Sequence, residues 1–421
     1  MHPNDGVALL DEIGRRARAA ARILPTLSSE TKDRCLRRIA DKLLAEHDGI
    51  AEANERDLAA ARDAGLTGAM VDRLRLTSAR VASMADGLRQ VAALPDPIGE
   101  ITETWRRPNG LTVQKARIPL GVIGIIYEAR PNVTVDAAGL CFKSGNAVIL
   151  RGGSEAFESN RHLVELLRGE LAAGGVTADA VQFVPTADRE SVAQMLTMSG
   201  VIDLMIPRGG EGLIRYVTEN ARMPVIQHFK GTCHVFVDED ADADKATAIA
   251  LNAKVQRPGV CNAMETLLVH RAHASTLLPA LLDALASAGV EIRGCSQTRD
   301  AFPAAKAATE EDWSAEYLDL ILSVRVVDSL DEAIAHIQRY GSDHTEAIVT
   351  ENYTRAREFV RRIDSSVVMV NASTRFSDGN QLGLGAEIGI STTRLHAYGP
   401  MGLRELTSQK FVIYGDGQIR A

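Results

Sequence analysis

Apolar residues in the first hundred positions recur with the period of an α-helix. One such set begins at Leu36, and its members lie three or four positions apart, so they form one face of an amphipathic helix. Ser29 precedes this set as a candidate N-cap. Gly65 and the segment 95–97, with two prolines, interrupt the helical pattern. The pattern therefore predicts successive helices, the clearest with its apolar face at Leu36, Ile39, Ala40, Leu43 and Leu44.

From Leu111 onward the period changes. Residues 111–117 alternate like a half-buried strand, and residues 121–127 form a nearly continuous apolar run, as in a parallel strand covered on both faces. Strand-like runs then alternate with helical stretches, which predicts α/β units around parallel sheets. The run 411–414 predicts a late strand that needs a sheet edge, in this chain or in another subunit. The other predicted strands are 147–150, 181–184, 202–206, 235–237, 266–269, 324–327, 347–349 and 367–370, and the clearest helices between them are 155–171, 245–255 and 277–288.

The chain has 421 residues, which favours at least two domains. Apolar residues make up 45% and charged residues 24%, as in an ordinary soluble protein. The net charge of −8, without a basic stretch that contains aromatic residues, argues against a nucleic-acid partner. No apolar run approaches the roughly 20 residues that span a bilayer, and no signal peptide is visible. We therefore expect a cytoplasmic protein with no membrane partner.

The five cysteines are widely spaced and form no C-x-x-C pair, which favours reduced thiols over disulfides or a zinc ribbon. Cys35 and Cys141 lie in apolar helical patterns, so we expect them in the core. The segment from His228 to Cys233 has the wrong spacing for zinc, and the acidic run 238–244 lacks the glycine of a calcium loop. We therefore expect no metal site.

Cys261 stands in the segment Arg257-Pro-Gly-Val-Cys261, where a turn precedes what the sequence predicts to be a short helix. Backbone N–H groups and a helix dipole at such a place would favour the thiolate, and the same N–H groups could hold an oxyanion. The alternative is a small buried thiol that packs as an apolar residue. The local sequence does not decide between these two interpretations.

Two glycine-rich turns follow predicted strands, at Arg151-Gly-Gly-Ser154 and at Arg208-Gly209-Gly210. A strand that ends in a glycine turn and a helix is where an α/β sheet can bind a nucleotide phosphate. Neither turn has a complete nucleotide-binding motif, so tight turns without a ligand remain the alternative. Asn132 lies where a loop enters a helix, and it could cap that helix or direct its amide at a substrate.

Taken together, these segments resemble the aldehyde dehydrogenase superfamily in their order and spacing. The resemblance extends from Asp5 to Arg420. It implies an α/β fold with a Rossmann-like cofactor domain (1–105 and 119–228, with part of 371–398), a catalytic α/β domain (229–370) and a small β oligomerisation element (106–118 and 399–421). The matching motifs are Tyr127-Glu-Ala-Arg-Pro-Asn-Val-Thr, Lys143-Ser-Gly-Asn-Ala-Val-Ile-Leu-Arg-Gly-Gly, the cysteine segment 257–263, Tyr317-Leu-Asp-Leu-Ile-Leu, Val370-Asn-Ala-Ser-Thr-Arg-Phe-Ser-Asp-Gly and Gly383-Leu-Gly-Ala-Glu-Ile-Gly-Ile-Ser.

The resemblance also implies a cofactor site. Gly209 and Gly210 match the glycine turn, and Glu316 matches the glutamate that hydrogen-bonds the nicotinamide ribose. Arg151 stands where the family has a lysine near the adenine ribose, and Ser154 where NAD-preferring relatives often have a glutamate. Because position 154 carries no carboxylate, the guanidinium of Arg151 could pair with a 2′-phosphate. The expected cofactor is therefore NADPH.

For catalysis, the resemblance makes Cys261 the nucleophile and Asn132 the amide that completes an oxyanion hole. Arg257, Asn371 and Ser373 become candidates for binding the substrate's phosphate or α-carboxylate. The implied reaction reduces L-glutamate 5-phosphate to L-glutamate 5-semialdehyde and phosphate through a thioester, as a step towards proline. A separate glutamate 5-kinase would supply this substrate, and a homo-oligomer is expected.

His228 marks a difference from the hydrolytic members, which carry a water-activating glutamate at that position. Its absence favours reduction of the thioester over hydrolysis. One alternative is another enzyme of the same fold, such as an acyl-CoA reductase or an aldehyde dehydrogenase. A second is a binding protein that keeps the fold and has no catalytic activity.

Overall fold

The computed structural model describes residues 3–66, 68–128 and 130–420. Its N-terminal part is helical, as the apolar pattern predicts, and the helix that carries Leu36 is capped by Ser28 rather than by the predicted Ser29. The Ser28 hydroxyl accepts the N–H of Thr31 at 3.2 Å, which satisfies one of the free donors of the first turn. The helices of this part are α1 (Pro3–Ile23), α2 (Ser29–Ala45), α3 (His47–Asp63), α4 (Gly68–Leu74) and α5 (Ser78–Ala93).

Strands and helices alternate in the rest of the chain. The elements up to residue 220 are β1 (Ile101–Arg106), β2 (Thr112–Pro119), β3 (Val122–Tyr127), α6 (Asn132–Lys143), β4 (Ala147–Gly152), α7 (Phe157–Ala173), β5 (Val181–Phe183), α8 (Arg189–Met195), β6 (Leu204–Arg208) and α9 (Glu211–Asn220). Beyond it lie β7 (Cys233–Val237), α10 (Ala243–Val255), β8 (Met264–His270), α11 (Leu278–Ser287), β9 (Glu291–Gly294), α12 (Ser296–Ala301), β10 (Lys306–Ala307), β11 (Ile321–Val327), α13 (Leu330–Tyr340), β12 (Thr345–Val349), α14 (Tyr353–Arg362), β13 (Val367–Val370), β14 (Gly389–Ser391), β15 (Gly399–Met401) and β16 (Thr407–Tyr414).

The chain divides into two compact units. The first comprises Met1–Gln227, Gly383–Gly389 and Met401–Ala421, and the second comprises His228–Leu382 and Ile390–Pro400. Of the segments expected to form a separate oligomerisation element, 106–118 and 399–421, residues 106–118 and 401–420 belong to the first unit and residues 399–400 to the second. The antiparallel pair of this element also begins at Ile101 rather than at residue 106.

The first unit contains a four-stranded parallel sheet in the order β5-β4-β3-β6. Strands β3 and β4 are buried along their whole length, which explains their continuous apolar sequences. Tyr127 pairs with Gly152 on one side and with Arg208 on the other. The turns that follow β3, β4 and β6 therefore lie at the same edge of this sheet.

The second unit contains a seven-stranded parallel sheet in the order β10-β9-β11-β8-β7-β12-β13. Alternate residues of its central strands face opposite sides. Val235 and Leu267 pack in one apolar cluster, and Phe236 and Leu268 pack in another. Helices α10 and α11 contribute to the first cluster, whereas α13 and α14 contribute to the second. The sheet is thus covered on both faces, and the loops at its ends remain available for chemistry.

The late strand predicted at 411–414 joins the same chain. It is part of β16, which pairs antiparallel with β2, so the small sheet has the order β1-β2-β16. Trp105 and Phe411 meet edge to face at 6.2 Å between ring centroids. Phe411 and Ile413 are nevertheless 63% and 57% exposed, so this sheet carries uncovered apolar side chains. None of the described helices is long and apolar enough to span a bilayer.

A buried ion pair near the start of the chain generates a stability prediction. Lys32 of α2 is fully buried, and its Nζ lies 2.8 Å from Asp96 Oδ2, which is 7% exposed. Replacing Lys32 by methionine leaves that carboxylate without its cation, so we expect a loss of about 3–5 kcal/mol in the free energy of unfolding. The control is Arg89→Met, which breaks only exposed pairs and should leave the free energy of unfolding close to that of the wild type. Urea denaturation measures both, and equal effects would contradict the prediction.

Candidate active site

Cys261 lies in the loop between α10 and β8 and is partly exposed. The predicted short helix at this position is wrong, because residues 258–263 form consecutive turns. The strand β8 begins at Met264, so too few residues remain between Pro258 and the strand for a helix. The thiol therefore does not lie at the N-terminus of a helix. Only side chains and loop backbone can influence its charge.

The backbone of Cys261 rests directly on Gly231. A Cβ atom built on Gly231 would lie 2.9 Å from Cys261 Cα and would overlap its carbonyl oxygen. The buried Cys233 thiol donates to the same carbonyl at 3.2 Å, and burial raises the pKa of Cys233 well above its usual range. Cys233 therefore stays a neutral donor, and the start of β7 holds the peptide of the candidate nucleophile in place.

Glu316 also contacts Gly231. Its Oε1 accepts the N–H of Gly231 at 2.9 Å, so the residue expected at the nicotinamide ribose is bonded to the backbone beneath Cys261. Lys230, the residue before Gly231, donates to the Ser314 carbonyl at 3.0 Å. The loop 228–232 and the loop around Glu316 are thus joined by two hydrogen bonds.

Two arginines share the electrostatic surroundings of Cys261. Burial lowers the pKa of Arg375, and the positive charge of Arg257 lowers it further, whereas Asp378 and Cys261 act in the opposite direction. The loop that carries Arg375 is bonded to the cysteine loop, because Arg375 Nε donates to Gln256 Oε1 at 2.9 Å. Paired cations near a thiol provide a place for an anionic group of a substrate.

The other two substrate candidates make local contacts. Ser373 is buried, and its hydroxyl accepts the N–H of Arg375 at 3.3 Å, so it shapes the turn that presents Arg375. Asn371 has a left-handed backbone with φ 54°. Its amide oxygen accepts the N–H of Thr350 and its amide nitrogen donates to the Thr350 carbonyl, both at 2.9 Å. These contacts give Asn371 a structural role and do not support the prediction that it binds substrate.

In the first unit, Arg151 and Ser154 lie at the carboxyl edge of the four-stranded sheet. Arg151 is 8% exposed, and its Nη2 donates to the carbonyls of Ala187 at 2.7 Å and Asp188 at 3.3 Å. Ser154 is exposed and opens a short 3-10 turn. The carboxylate of Glu155 folds back over Gly153, where a Cβ atom would overlap it, and its charge raises the pKa of Arg151 against the lowering effect of burial. Glu155 is not among the residues predicted for the cofactor site.

The second glycine turn also receives a carboxylate. Glu128, which follows β3, accepts the N–H of Gly210 at 3.0 Å. A Cβ atom on Gly209 would lie 2.5 Å from the same carboxylate oxygen, so a larger residue there would displace Glu128. Both glycines therefore bring backbone and a polar side chain close together at the N-terminus of α9, in the sheet edge where the cofactor is expected.

Asn132 is the first residue of α6, and the helix is capped by Pro131 without a side-chain hydrogen bond, so the capping interpretation is wrong. Asn132 Nδ2 donates instead to Asp136 Oδ2 at 3.1 Å, one turn later. Desolvation raises the pKa of Asp136 to about 6, while the hydrogen bond from Asn132 opposes the rise. This contact orients the amide.

The acidic run before α10 has structural partners. Asp238 is buried and its Oδ2 accepts Arg355 Nε at 2.7 Å, while Asp242 caps α10 by accepting the N–H of Lys245 at 2.9 Å. His228 Nδ1 lies 3.1 Å from the Ile390 carbonyl. Over the described ranges, 3–66, 68–128 and 130–420, the structure has no group of three or more histidine, cysteine, aspartate or glutamate side chains placed to hold a metal ion.

Comparison with known proteins matches these features to a family. The model of the aldehyde dehydrogenase family matches residues 3–311, which is most of the chain. The chain belongs to the aldehyde dehydrogenase family. Acetylating aldehyde dehydrogenase from Geobacillus thermoglucosidasius, at 15% identity and a TM-score of 0.71 over 99% of this chain and 98% of that one, shares its fold.

Within the aldehyde dehydrogenase family, more similar relatives share a name. Gamma-glutamyl phosphate reductase from Salinibacter ruber is 58% identical over 98% of this chain and 94% of its own length. The protein of that name from Geotalea daltonii is 57% identical over 97% and 98%. The crystal structure of gamma-glutamyl phosphate reductase from Thermotoga maritima, at 47% identity, superposes with a TM-score of 0.96 and covers 98% of this chain and 100% of that one.

The contact between Gly231 and Cys261 generates the prediction for this site. In Gly231→Ala the new methyl group would overlap the Cys261 backbone, so the loop must shift, and we expect a loss of about 1–3 kcal/mol in the free energy of unfolding. Gly169 in α7 faces open space, and Gly169→Ala should leave stability unchanged or raise it by up to about 1 kcal/mol. Chemical denaturation of the two variants tests this, and a Gly231→Ala protein as stable as the control would show that the backbones are not in contact.

Proposed function

We propose that this chain reduces L-glutamyl 5-phosphate to L-glutamate 5-semialdehyde and phosphate, with NADPH as the reductant and a thioester on Cys261. The names of the relatives at 57% and 58% identity support the substrate. The structural observation that carries the proposal is the position of Cys261 in a loop whose surroundings include Arg257 and Arg375. A thiol in a loop that contains Arg257, and to which the Arg375 loop is hydrogen-bonded, suits a substrate with one reactive carbonyl and an anionic leaving group.

The first step forms a bond between Cys261 Sγ and the γ-carbonyl carbon. The bond between that carbon and the phosphate oxygen then breaks, and phosphate leaves with the electron pair. Arg257 and Arg375 stabilise negative charge on the substrate during this step. We assign the developing oxyanion to backbone N–H groups of the cysteine loop. The family resemblance implies Asn132 as the side-chain donor, and its amide nitrogen donates to Asp136 within α6.

The thioester must react with hydride before water reaches it. A nicotinamide cofactor, when bound, supplies the hydride that reduces the thioester carbon. The thiohemiacetal on Cys261 then collapses, which releases the aldehyde and restores the thiolate. Position 228 holds a histidine whose Nδ1 contacts a backbone carbonyl, so no carboxylate is available there to activate water. This arrangement favours reduction over hydrolysis.

The carboxyl edge of the four-stranded sheet suits a nicotinamide dinucleotide. Glycines at 209 and 210 leave room for the backbone to approach phosphate groups, and Arg151 offers a cation near an exposed Ser154. Glu155 and Glu128 lie in the same surroundings and would oppose an additional phosphate unless they turn away. We assign NADPH on the strength of Arg151 and Ser154, and Glu155 is the residue whose orientation decides the preference over NADH.

The exposed side chains of β16 support a homo-oligomer. Phe411 and Ile413 lie on one face of the small sheet with Trp105, and β16 is an edge strand. An open edge beside exposed apolar side chains is a surface on which a second copy could pair. The acyl phosphate itself must come from an ATP-dependent kinase that acts on the γ-carboxylate of glutamate, and we propose a functional coupling with such an enzyme.

The reverse reaction tests the chemistry. With glutamate 5-semialdehyde, phosphate and NADP⁺, the wild-type protein should form NADPH, and omission of phosphate should abolish the signal at 340 nm. Cys261→Ala should lower kcat by roughly 10³-fold or more, because the covalent route is lost. Cys295→Ala, which removes another partly exposed thiol, should remain close to wild type. Reduction of NADP⁺ without phosphate would identify an aldehyde-oxidising enzyme instead.

Arg375→Met tests the anion site in the same assay. Loss of the guanidinium should raise the KM for phosphate or for the semialdehyde by about 10- to 100-fold, as expected for a charge-assisted hydrogen bond. The KM for NADP⁺ should change little. Arg361→Met, in the last turn of α14, is the control. Unchanged KM values for both substrates in Arg375→Met would remove this residue from the substrate site.

A further inference from the structure

A buried ion pair closes the base of the loop that carries Cys261. Lys254 lies in the last turn of α10, and Glu265 is the second residue of β8. Lys254 Nζ lies 2.6 Å from Glu265 Oε2, and both side chains are fully buried. The pair therefore joins the two ends of the segment 255–264, which contains the whole cysteine loop.

Such a pair contributes little to stability. Removing two charges from water is costly for each ion, and apolar residues of similar size often stabilise a protein as well or better. Burial raises the pKa of Glu265 to about 7 and lowers the pKa of Lys254, both consequences of that desolvation. What the pair does provide is a fixed geometry, because each charge has to remain next to the other.

The second oxygen of Glu265 extends this geometry to Glu316. Glu265 Oε1 accepts the N–H of Leu318 at 3.2 Å. Leu318 has a left-handed backbone with φ 54°, which a residue with a branched side chain adopts only when its surroundings hold it there. It lies two residues after Glu316, so the hydrogen bond from Leu318 fixes the loop that carries the Glu316 carboxylate.

The loop that carries Glu316 also approaches the residues around Cys261 at two places. Glu316 Oε1 accepts the N–H of Gly231, which rests on the Cys261 backbone. A Cβ atom built on Gly259 would lie 3.7 Å from the Leu318 carbonyl oxygen, so the loop passes close to the turn before Cys261. One carboxylate, at Glu265, thus anchors both the cysteine loop and the loop of Glu316.

We propose that Lys254 and Glu265 are positioning residues that set the place of the Cys261 thiol relative to the Glu316 carboxylate. This inference rests on the proposed function for the role of the thiol and the carboxylate, and the placement itself is a property of the fold. The hydrogen bond from Leu318 N–H to Glu265 carries the effect, and Lys254 keeps Glu265 oriented to receive it. Neither residue touches the substrate.

Two double variants separate this role from stability. Lys254→Met with Glu265→Gln removes both charges and keeps an oxygen that can accept the Leu318 N–H. Lys254→Met with Glu265→Met has nearly the same volume and no acceptor. Lys245→Met, at the first turn of α10, breaks only an exposed pair with Glu351 and serves as the control.

Three quantities are measured for each protein: the midpoint of urea denaturation, kcat and KM in the reverse assay, and the rate constant for alkylation of Cys261 by iodoacetamide, followed by peptide mass analysis. We expect both double variants to remain folded under assay conditions. The variant without an acceptor, K254M/E265M, should lose roughly 10- to 100-fold in kcat, as expected for a displaced reacting group, with a changed alkylation rate. The variant that keeps the acceptor, K254M/E265Q, should recover most of the kcat and the wild-type alkylation rate.

The result that overturns the inference is an equal kcat and an equal alkylation rate in the two double variants, whether both match the wild type or both fall with stability. If the wild-type protein shows no phosphate-dependent turnover but the alkylation rates of the two variants differ, the proposed function fails and the positioning role stands. If turnover is normal and the variants do not differ, the positioning role fails alone.

Discussion

The contact between the backbones of Gly231 and Cys261 is the constraint on which the candidate site depends. It requires a residue without a side chain at 231, and it brings the start of β7 under the loop between α10 and β8. The Gly231 N–H then remains free to donate to Glu316, and the Cys233 thiol donates to the Cys261 carbonyl. The thiol is therefore placed by peptide groups of a rigid sheet edge, which suits a group that must attack a carbonyl at a defined angle and distance.

Charge around the thiol follows from loop packing rather than from a helix. Cys261 lies in turns, and the charged residues of these loops are Arg257, four residues before it, and Arg375, whose Nε donates to Gln256. Arg375 belongs to a loop more than a hundred residues away in sequence, and the turn that presents it is shaped by Ser373. In the first unit most of the nearby charges are negative. Glu128 and Glu155 act on Arg151, and Glu128 also accepts the N–H of Gly210 in a glycine turn. The proposed anion site and the proposed cofactor site thus contain separate sets of charges.

Much of the fold was predictable because the apolar pattern reports burial. The continuous runs at β3 and β4 predict strands covered on both faces, and both are fully buried. The strands β9 and β10 were not predicted, since their sequences Glu-Ile-Arg-Gly and Lys-Ala contain no apolar run, unlike the equally short β13. The predicted helix at Cys261 is wrong because β8 begins at Met264 and leaves too few residues for a helix after Pro258.

The sequence by itself determined the α/β class, the family, the order of the elements and Cys261 as the candidate nucleophile, because these depend on residue types at short spacing and on motifs that span the chain. Only the tertiary structure decided which residues surround that cysteine. Gly231 and Glu265 carry no local signal for the site, and their roles arise from strand order and loop packing. Arg375 lies in a motif that matches the family, but only the fold shows that it is bonded to the cysteine loop. Asn371 shows the converse, since its motif suggested a substrate ligand and the fold gives its amide to the backbone of Thr350.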